Sequence, residues 1–329
     1  MVLGIASGSI VSLPWMGGAQ TAYAATADTQ SETGFVAQAR TLGLMTGGNQ
    51  GDFMAQKNLT RAEAAKILCS LFQLEVNNQP QTSFMDVSSD AWGAPYIEAV
   101  RAAGYMTGNG ELFRPGDAIT KEELIVSLVR AMDLQDAGNA DAQQNAVQVA
   151  RNYGLLSEDA SATDLKNPLN RESGAEVFVS LLDHPVGEVK SEGNTVRIGN
   201  IPYQLEGSLQ GLFGENNKAV LKGAKIDLNR NLRTLTGVNK LEINADGGVF
   251  DGKGVSFDGR LIVNGSVTLK NMSSTGVLEI KGSGTQPVSA ILENTTWSGV
   301  ELGSQDAQLT ATGTTKIDNL TLKNDASIV

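Results

Sequence analysis

The stretch "NLTRAEAAKIL", Asn58 to Leu68, decides how the first half of this chain is read. Its alanines, Ile67 and Leu68 predict a helix. Thr60 followed by Glu63 is a capping box: the threonine oxygen accepts a free backbone N–H, and the glutamate reaches back to the cap. Thr60 and Glu63 therefore have a structural explanation. Arg61 does not. It stands in the first turn, where the helix dipole is positive and a cation is disfavoured by about 0.3–1 kcal/mol.

Moving outward, three segments align on one glycine. They are "ARTLGLMTGGNQGDFMAQKNLTRAEAAKILCSLFQL", "VRAAGYMTGNGELFRPGDAITKEELIVSLVRAMDL" and "ARNYGLLSEDASATDLKNPLNRESGAEVFVSLLDH". Gly43 lies 17 residues before Thr60; Gly104 lies 16 before Thr120, and Gly154 lies 16 before Asn170. Each unit predicts a short amphipathic helix ending at a left-handed glycine, a turn-rich loop, a cap residue and a second helix. The apolar positions of the second helices are Ile67, Leu68, Leu71 and Phe72, then Leu128, Val129 and Met132, then Val177, Phe178, Leu181 and Leu182. One helix pair cannot bury enough apolar surface alone, so three units should pack on one another.

The residue after the cap is Arg61, then Lys121, then Arg171. A cation recurs at the position the dipole disfavours. One reading is a solvated residue whose stem covers a neighbour. The other is a cation facing an anion from outside. Free N–H groups at a helix start favour an anion, and arginine grips carboxylate or phosphate with two prongs. The recurrence favours the second reading and predicts up to three sites at grooves between units.

At these residues the sequence resembles the S-layer homology (SLH) family. The resemblance rests on "LTRAEAAKIL", on "ITKEELIVSLVRAM" and on "FMDVSSDAWGAPYIEAVRAAGYMTGNGELFRPGDAIT", and covers roughly 34–182, about half the chain. It implies a mainly α, pseudo-threefold domain of three repeats, at about 25–76, 84–134 and 135–183. It also implies noncovalent anchoring of an exported protein to a secondary cell-wall polysaccharide. In many members that polymer carries pyruvate ketals, whose carboxylate the motif arginine contacts, helped by an Asp and a Trp from the preceding segment. Carried over, Arg61 and Glu63 match the motif. Thr120, Lys121 and Glu123 match with lysine, which keeps the charge but loses the planar fork. Arg171 stands in place, while Asn170 and Ser173 replace threonine and glutamate. Asp86 and Trp92 match only in the second repeat. These eight residues (Arg61, Glu63, Asp86, Trp92, Thr120, Lys121, Glu123 and Arg171) form the expected carbohydrate-binding set, with one or two working grooves rather than three. From the residues alone, Trp92 reads as core or as a sugar platform, and Asp86 as a cap for the following turn.

Composition sets the outer bounds. The 329 residues suffice for about two domains. A formal charge of −11 argues against nucleic acid as the main partner, yet leaves room for a local basic groove that holds an anionic polymer. The single cysteine, Cys69, reads as a buried thiol. Residues 1–24 read as a signal peptide ending at Ala22-Tyr23-Ala24. No basic residue precedes its apolar run, so its start is expected to lie upstream. No later segment has eighteen apolar residues, so no membrane span is expected in the mature chain. Nothing suggests a cofactor or a metal site.

Residues 184–194 read as a linker. His184, the only histidine, precedes Pro185 there and receives no catalytic role. From about Thr195, short alternating runs such as "GVSFDGRLIVNGSVTLKN" and "GVLEIKGS" are separated by Gly, Asn, Asp and Ser. That pattern predicts an all-β domain over 195–329, either a β-solenoid or a β-sandwich. The ending "NDASIV" lacks an evident cap, so the β domain is expected to continue. "DGGVFDGKG" vaguely resembles a calcium repeat but reads better as a tight turn. The expectation for the whole is a wall-anchored surface protein that displays a surface-layer or adhesin-like segment, with self-association in a surface layer. Two rivals remain. One is a wall-displayed polysaccharide-degrading enzyme drawing on Asp227, Glu242, Asp246, Asp251 and Asp258; the other is an outer-membrane tether.

Overall fold

The computed structural model describes residues 34–47, 51–79, 81–134, 142–281 and 287–323. The expected leader at 1–24 and the ending "NDASIV" lie outside them. Among the described residues, seven helices build the first half: α1 (Gly34–Thr41), α2 (Arg61–Phe72), α3 (Ala94–Ala102), α4 (Lys121–Ala131), α5 (Ala142–Asn152), the short α6 (Ala162–Lys166) and α7 (Arg171–Asp183). The aligned glycines, Gly43, Gly104 and Gly154, all have φ between 66° and 75°. That left-handed conformation ends each first helix and turns the chain into its loop.

The three repeats close into a ring. Each first helix packs against the second helix of a neighbouring repeat: α3 on α2, α5 on α4, and α1 on α7. At the centre, the residues preceding the caps are joined in a cycle of backbone bonds. Leu59 N–H donates to Leu169 O at 2.8 Å, Leu169 N–H to Ile119 O at 3.0 Å, and Ile119 N–H to Leu59 O at 2.9 Å. This is the packing of three units that the repeats predict, in the pseudo-threefold form that the family resemblance implies. The predicted apolar faces supply its core: Leu68, Leu71, Val129, Phe178 and Leu182 are fully buried. Cys69 is buried with them, and burial pushes its thiol up to about 12.

The second half is a β-solenoid of about four turns preceded by a small antiparallel cap. The cap is β1 (Val189–Glu192), β2 (Thr195–Ile198) and β3 (Ile201–Leu205). It is followed by the one-turn helix α8 (Lys218–Leu221) and then by β4 (Lys225–Asn231), which pairs antiparallel with β5 (Thr234–Ile243). Thereafter the pairing is parallel. One sheet stacks β5, β7 (Arg260–Val263), β9 (Ser273–Ile280), β11 (Thr296–Leu302) and then β13 (Lys316–Ile317) with β14 (Leu320–Leu322). The other stacks β6 (Val249–Asp251), β8 (Val267–Lys270), β10 (Val288–Glu293) and β12 (Ala307–Thr312). Each turn takes roughly twenty residues, the short end of solenoid repeats.

Period-two alternation places every second residue inside, so like residues stack. Leu241, Leu261, Leu278 and Val300 form one buried ladder, continued by the exposed Leu320 on the last described rung, and Phe250, Leu269 and Leu292 form another on the facing sheet. Outside, Arg260 pairs with Glu279 and Glu301 on the next two rungs, and Lys323 closes on Glu301. The solenoid, rather than the sandwich, is the observed fold.

Residues 184–194 depart from the linker expectation, because β1 begins at Val189 and its cap packs on the helices. Tyr203 Oη donates to Leu182 O at 3.2 Å, and Asn200 Nδ2 donates to Ala131 O at 3.0 Å. Arg233 donates to Ser70 O and Leu71 O, and Arg230 pairs with Asp183 at 2.7 Å. His184 lies in this seam, 3.5 Å from Asp227. Gly, Pro and charge in "DHPVGEVKSEGN" suggest a solvated hinge, but Val186 and Val189 are buried.

Candidate functional site

The motif cations are not presented to solvent in the way the dipole argument expects. Arg61 and Arg171 are only 3% and 4% exposed. The helix starts they occupy are already satisfied by neighbouring repeats. Arg61 N–H donates to Asp117 O and Ala62 N–H to Pro115 O; Arg171 N–H donates to Lys57 O and Glu172 N–H to Ala55 O. The third N–H of each start goes to the cap, to Thr60 Oγ1 in α2 and Asn170 Oδ1 in α7. Few free N–H groups remain there to hold an anion.

Each arginine is instead a tie between repeats. Arg61 donates from Nε to Phe113 O at 2.9 Å, from Nη2 to Thr107 O at 2.9 Å and from Nη1 to Glu123 Oε1 at 2.9 Å. Its guanidinium lies 4.8 Å from the Phe113 ring centroid. Arg171 repeats the pattern with Phe53 O, Thr46 O and Glu63 Oε1, over the Phe53 ring. The motif glutamates are split between two jobs. Glu63 and Glu123 accept the cap N–H of Thr60 and Thr120 on Oε2 and the arginine of another repeat on Oε1. The cation's unfavourable position is thus offset by charge-assisted bonds made indoors. Burial pushes the Arg61 guanidinium below its ordinary value; Glu123 opposes this, and Arg114 adds to it.

Two polar grooves open above these ties. The first is lined by Arg61, Thr107, Gly108, Arg114, Glu123 and Arg130. Arg114 also reaches Glu123, at 3.1 Å, so two guanidiniums share one carboxylate while Arg130 lines the same groove. The second is lined by Thr46, Gly47, Glu63, Lys66, Trp92 and Arg171. Trp92 is 58% exposed, so it is not core. It also borders an adjoining groove of about 450 Å³ that includes Lys57, Thr60, Asp86 and Gly116. Asp86 holds that wall: its carboxylate accepts the N–H groups of Phe113 and Arg114 at 2.8 and 2.7 Å. The polar side chains that sequence reasoning missed are Arg114, Arg130 and Lys66. Only the loop geometry brings them to the grooves, although the Phe-Arg-Pro tripeptide of the second repeat already displayed Arg114.

The third junction differs. Lys121 faces Ser173 where the other two have a glutamate, and makes no ion pair among the described residues. The space is a mainly apolar cavity of about 90 Å³ lined by Leu124, Ile125, Leu128, Leu155 and Leu181, and also by Glu176, whose carboxyl burial pushes up against the opposing pull of Lys121. Of the predicted set, the structure gathers Arg61 with Glu123 in one groove and Arg171, Glu63 and Trp92 in another. Asp86 lies beside the latter, Thr120 serves as a cap, and Lys121 stands apart.

Elsewhere, the five acidic residues considered for catalysis are each engaged. Asp227 faces His184; Glu242 accepts from Asn264, Asp246 from Ser266 N–H, Asp251 from Asn271 and Asp258 from Thr275. "DGGVFDGKG" forms a turn with φ of 98° and 101° at Gly247 and Gly248, then strand β6. No cluster of three metal-ligating side chains occurs among the described residues, nor does a helix long and apolar enough to cross a membrane.

The family model for the S-layer homology domain matches residues 26–65 and 83–125. An S-layer protein of Bacillus thuringiensis subsp. finitimus is 36% identical over 97 residues, covering 30% of this chain and 12% of that protein. A cellulosome-anchoring protein of Acetivibrio thermocellus is 31% identical over 145 residues, or 43% of this chain and 32% of its own length. An exoglucanase of the same species is 26% identical over 156 residues, or 43% of this chain and 14% of its own. The chain thus spans between about an eighth and a third of the length of these curated relatives.

Proposed function

Because the chain belongs, through its helical half, to the S-layer homology family, we propose that this half tethers the protein to an anionic polysaccharide of the bacterial cell wall. The protein is exported to the cell surface, and the solenoid is the part it displays there. The ligand feature recognised is a carboxylate, of the kind a pyruvate ketal presents on a sugar. The observation that carries this reading is the pair of open grooves with an arginine locked on each floor. Arg114 and Arg130 border one groove, and Lys66 and Trp92 border the other.

A guanidinium has five N–H donors. Three are used within the protein, and the rest are available to a carboxylate settling above Glu123 or Glu63. Rim cations offset the charge of that glutamate. Trp92 offers a ring face to a sugar, next to the cation that would hold its acid group. The chain's net negative charge gives no general attraction to an acidic polymer, so affinity is local to these grooves. Assembly of copies into a surface layer is a further part of the proposal and is read out by sedimentation of the purified chain as a function of concentration.

The test is cosedimentation of the full chain with native wall sacculi and with sacculi stripped of secondary polysaccharide. Trp92→Ala and the Arg114→Ala/Arg130→Ala double variant alter exposed or half-buried positions and should leave thermal unfolding nearly unchanged. The wild type should pellet with native walls only, and each variant should lose roughly tenfold in affinity, the usual weight of a stacking or charged anchor. Wild-type protein left in the supernatant with native walls, or variants that pellet equally well, would overturn the reading.

A further inference from the structure

The two polar grooves are built alike but carry different charge. Beside Trp92, the charged lining is Arg171, Lys66 and one carboxylate, Glu63, an excess of one positive charge. In the other groove it is Arg61, Arg114, Arg130 and one carboxylate, Glu123, and the excess is two. Asp117 lies 3.8 Å from Arg114, but it is exposed and does not line the groove, so water and salt screen it. Glu123 is shared between Arg61 and Arg114, at 2.9 and 3.1 Å. Arg130 is half-buried, and its guanidinium donates to no acceptor among the described residues. Like charges are crowded here: Arg114 adds to the depression that burial imposes on Arg61. Among the described residues no aromatic side chain lines this groove, so it offers a sugar no ring face. The spaces are about 230 and 250 Å³, so charge and lining rather than size separate the two grooves.

We infer that the groove of Arg61, Arg114 and Arg130 is a site for a doubly charged phosphate, as a monoester or as the free ion, while the Trp92 groove takes the sugar that carries a single carboxylate. A dianion closes the charge of the three-guanidinium groove, whereas one carboxylate leaves a cation over. Guanidinium forks match phosphate oxygens in pairs, and a monoester presents three such oxygens to three forks. In the Trp92 groove a single carboxylate closes the charge, and the exposed ring serves the sugar that bears it. The inference deepens the anchoring reading and rests on it only where the phosphate is assigned to the wall polymer.

Inorganic phosphate is the probe, titrated into the full chain at constant ionic strength and about pH 7.5, where it is mainly a dianion. NMR amide shifts of Gly108 and Ser127 report on one groove and those of Gly47 on the other. Acetate and dimethyl phosphate, both monoanions, are the controls. Saturable shifts at Gly108 and Ser127 are expected, about tenfold tighter for phosphate than for either monoanion, with Gly47 little moved. Arg114→Gln and Arg130→Gln should each weaken phosphate about two- to fivefold, and the double variant about tenfold, with thermal unfolding showing that each is folded. Competition on native walls separates the two sources. Release of the wild type by phosphate, beyond that by chloride at equal ionic strength, assigns the ligand to a phosphoryl group of the wall polymer; no extra release assigns it to a free phosphate compound. Equal affinity for phosphate and acetate, equal shifts at Gly47, or unchanged phosphate binding in the double variant would each overturn the inference. The titration contains no wall, so these outcomes are distinct from a failure to pellet, which would remove the anchoring reading and leave the phosphate site standing.

Discussion

At the scale of single residues, the arginine after the cap is where the sequence argument and the structure part. A cation at a helix start is costly, and its recurrence shows that something repays the cost. Periodicity cannot tell what does so, because Arg61 is held by two loop carbonyls and by Glu123, 62 positions away in sequence. A trace was nonetheless present. The one repeat with lysine, Lys121, faces the one repeat without the glutamate, Ser173, so cation and partner are weakened at the same junction. Truncating the tie should be severe: Arg61→Ala leaves the Glu123 carboxylate and two carbonyls without their donor, and costs about 3–5 kcal/mol in urea unfolding. Arg61→Lys should recover little of this, since an ammonium cannot span three acceptors in a plane. A loss under about 1 kcal/mol in Arg61→Ala would show that the tie is dispensable.

At the scale of elements, caps and glycines were legible because their physics is local. Thr60 and Thr120 make the full reciprocal box, and Asn170 caps without one, as Ser173 at the fourth position implies. Thr120→Ala should therefore cost about 1 kcal/mol in thermal or urea unfolding, with little further effect on the ties at other junctions. Strands were equally legible from alternation and turn residues. Their order was not, because a β-sandwich shows the same alternation; only the stacking of like residues at intervals of roughly twenty distinguishes rungs from meanders. That ladder predicts a steep local penalty. Leu278→Ala removes a fully buried side chain between Leu261 and Val300 and should cost about 2–5 kcal/mol. Ile291→Ala, on an exposed face of β10, should cost under about 1 kcal/mol.

At the scale of the whole molecule, the seam between helices and solenoid was the least legible part. A segment rich in Gly, Pro and charge reads as a hinge, and nothing local reveals that Tyr203, Arg230 and Arg233 will reach back across it. The seam carries the chain's only histidine. Burial depresses His184 from an ordinary value of 6.5 to about 4, against the opposing pull of Asp227 and with Lys240 and Arg230 adding to the depression. Between these values the unfolded chain binds more protons than the folded one, so stability rises with pH. The contribution is complete above about pH 6.5 and is lost as the pH falls toward about 4. It amounts to at most about 3 kcal/mol. His184→Gln should flatten the slope of unfolding free energy over that window, and an unchanged slope would assign the acid sensitivity elsewhere. The cycle of backbone bonds at the centre of the helical half also has a consequence in time. Leu59 cannot give its N–H to Leu169, and the carbonyls of Phe53 and Thr46 cannot receive Arg171, until more than a hundred further residues have arrived. Such closure is entropically expensive and slow relative to local helix formation. A chain emerging N-terminus first through a membrane would therefore keep its first repeats open during passage, and the ring would lock only after the third repeat had cleared the pore.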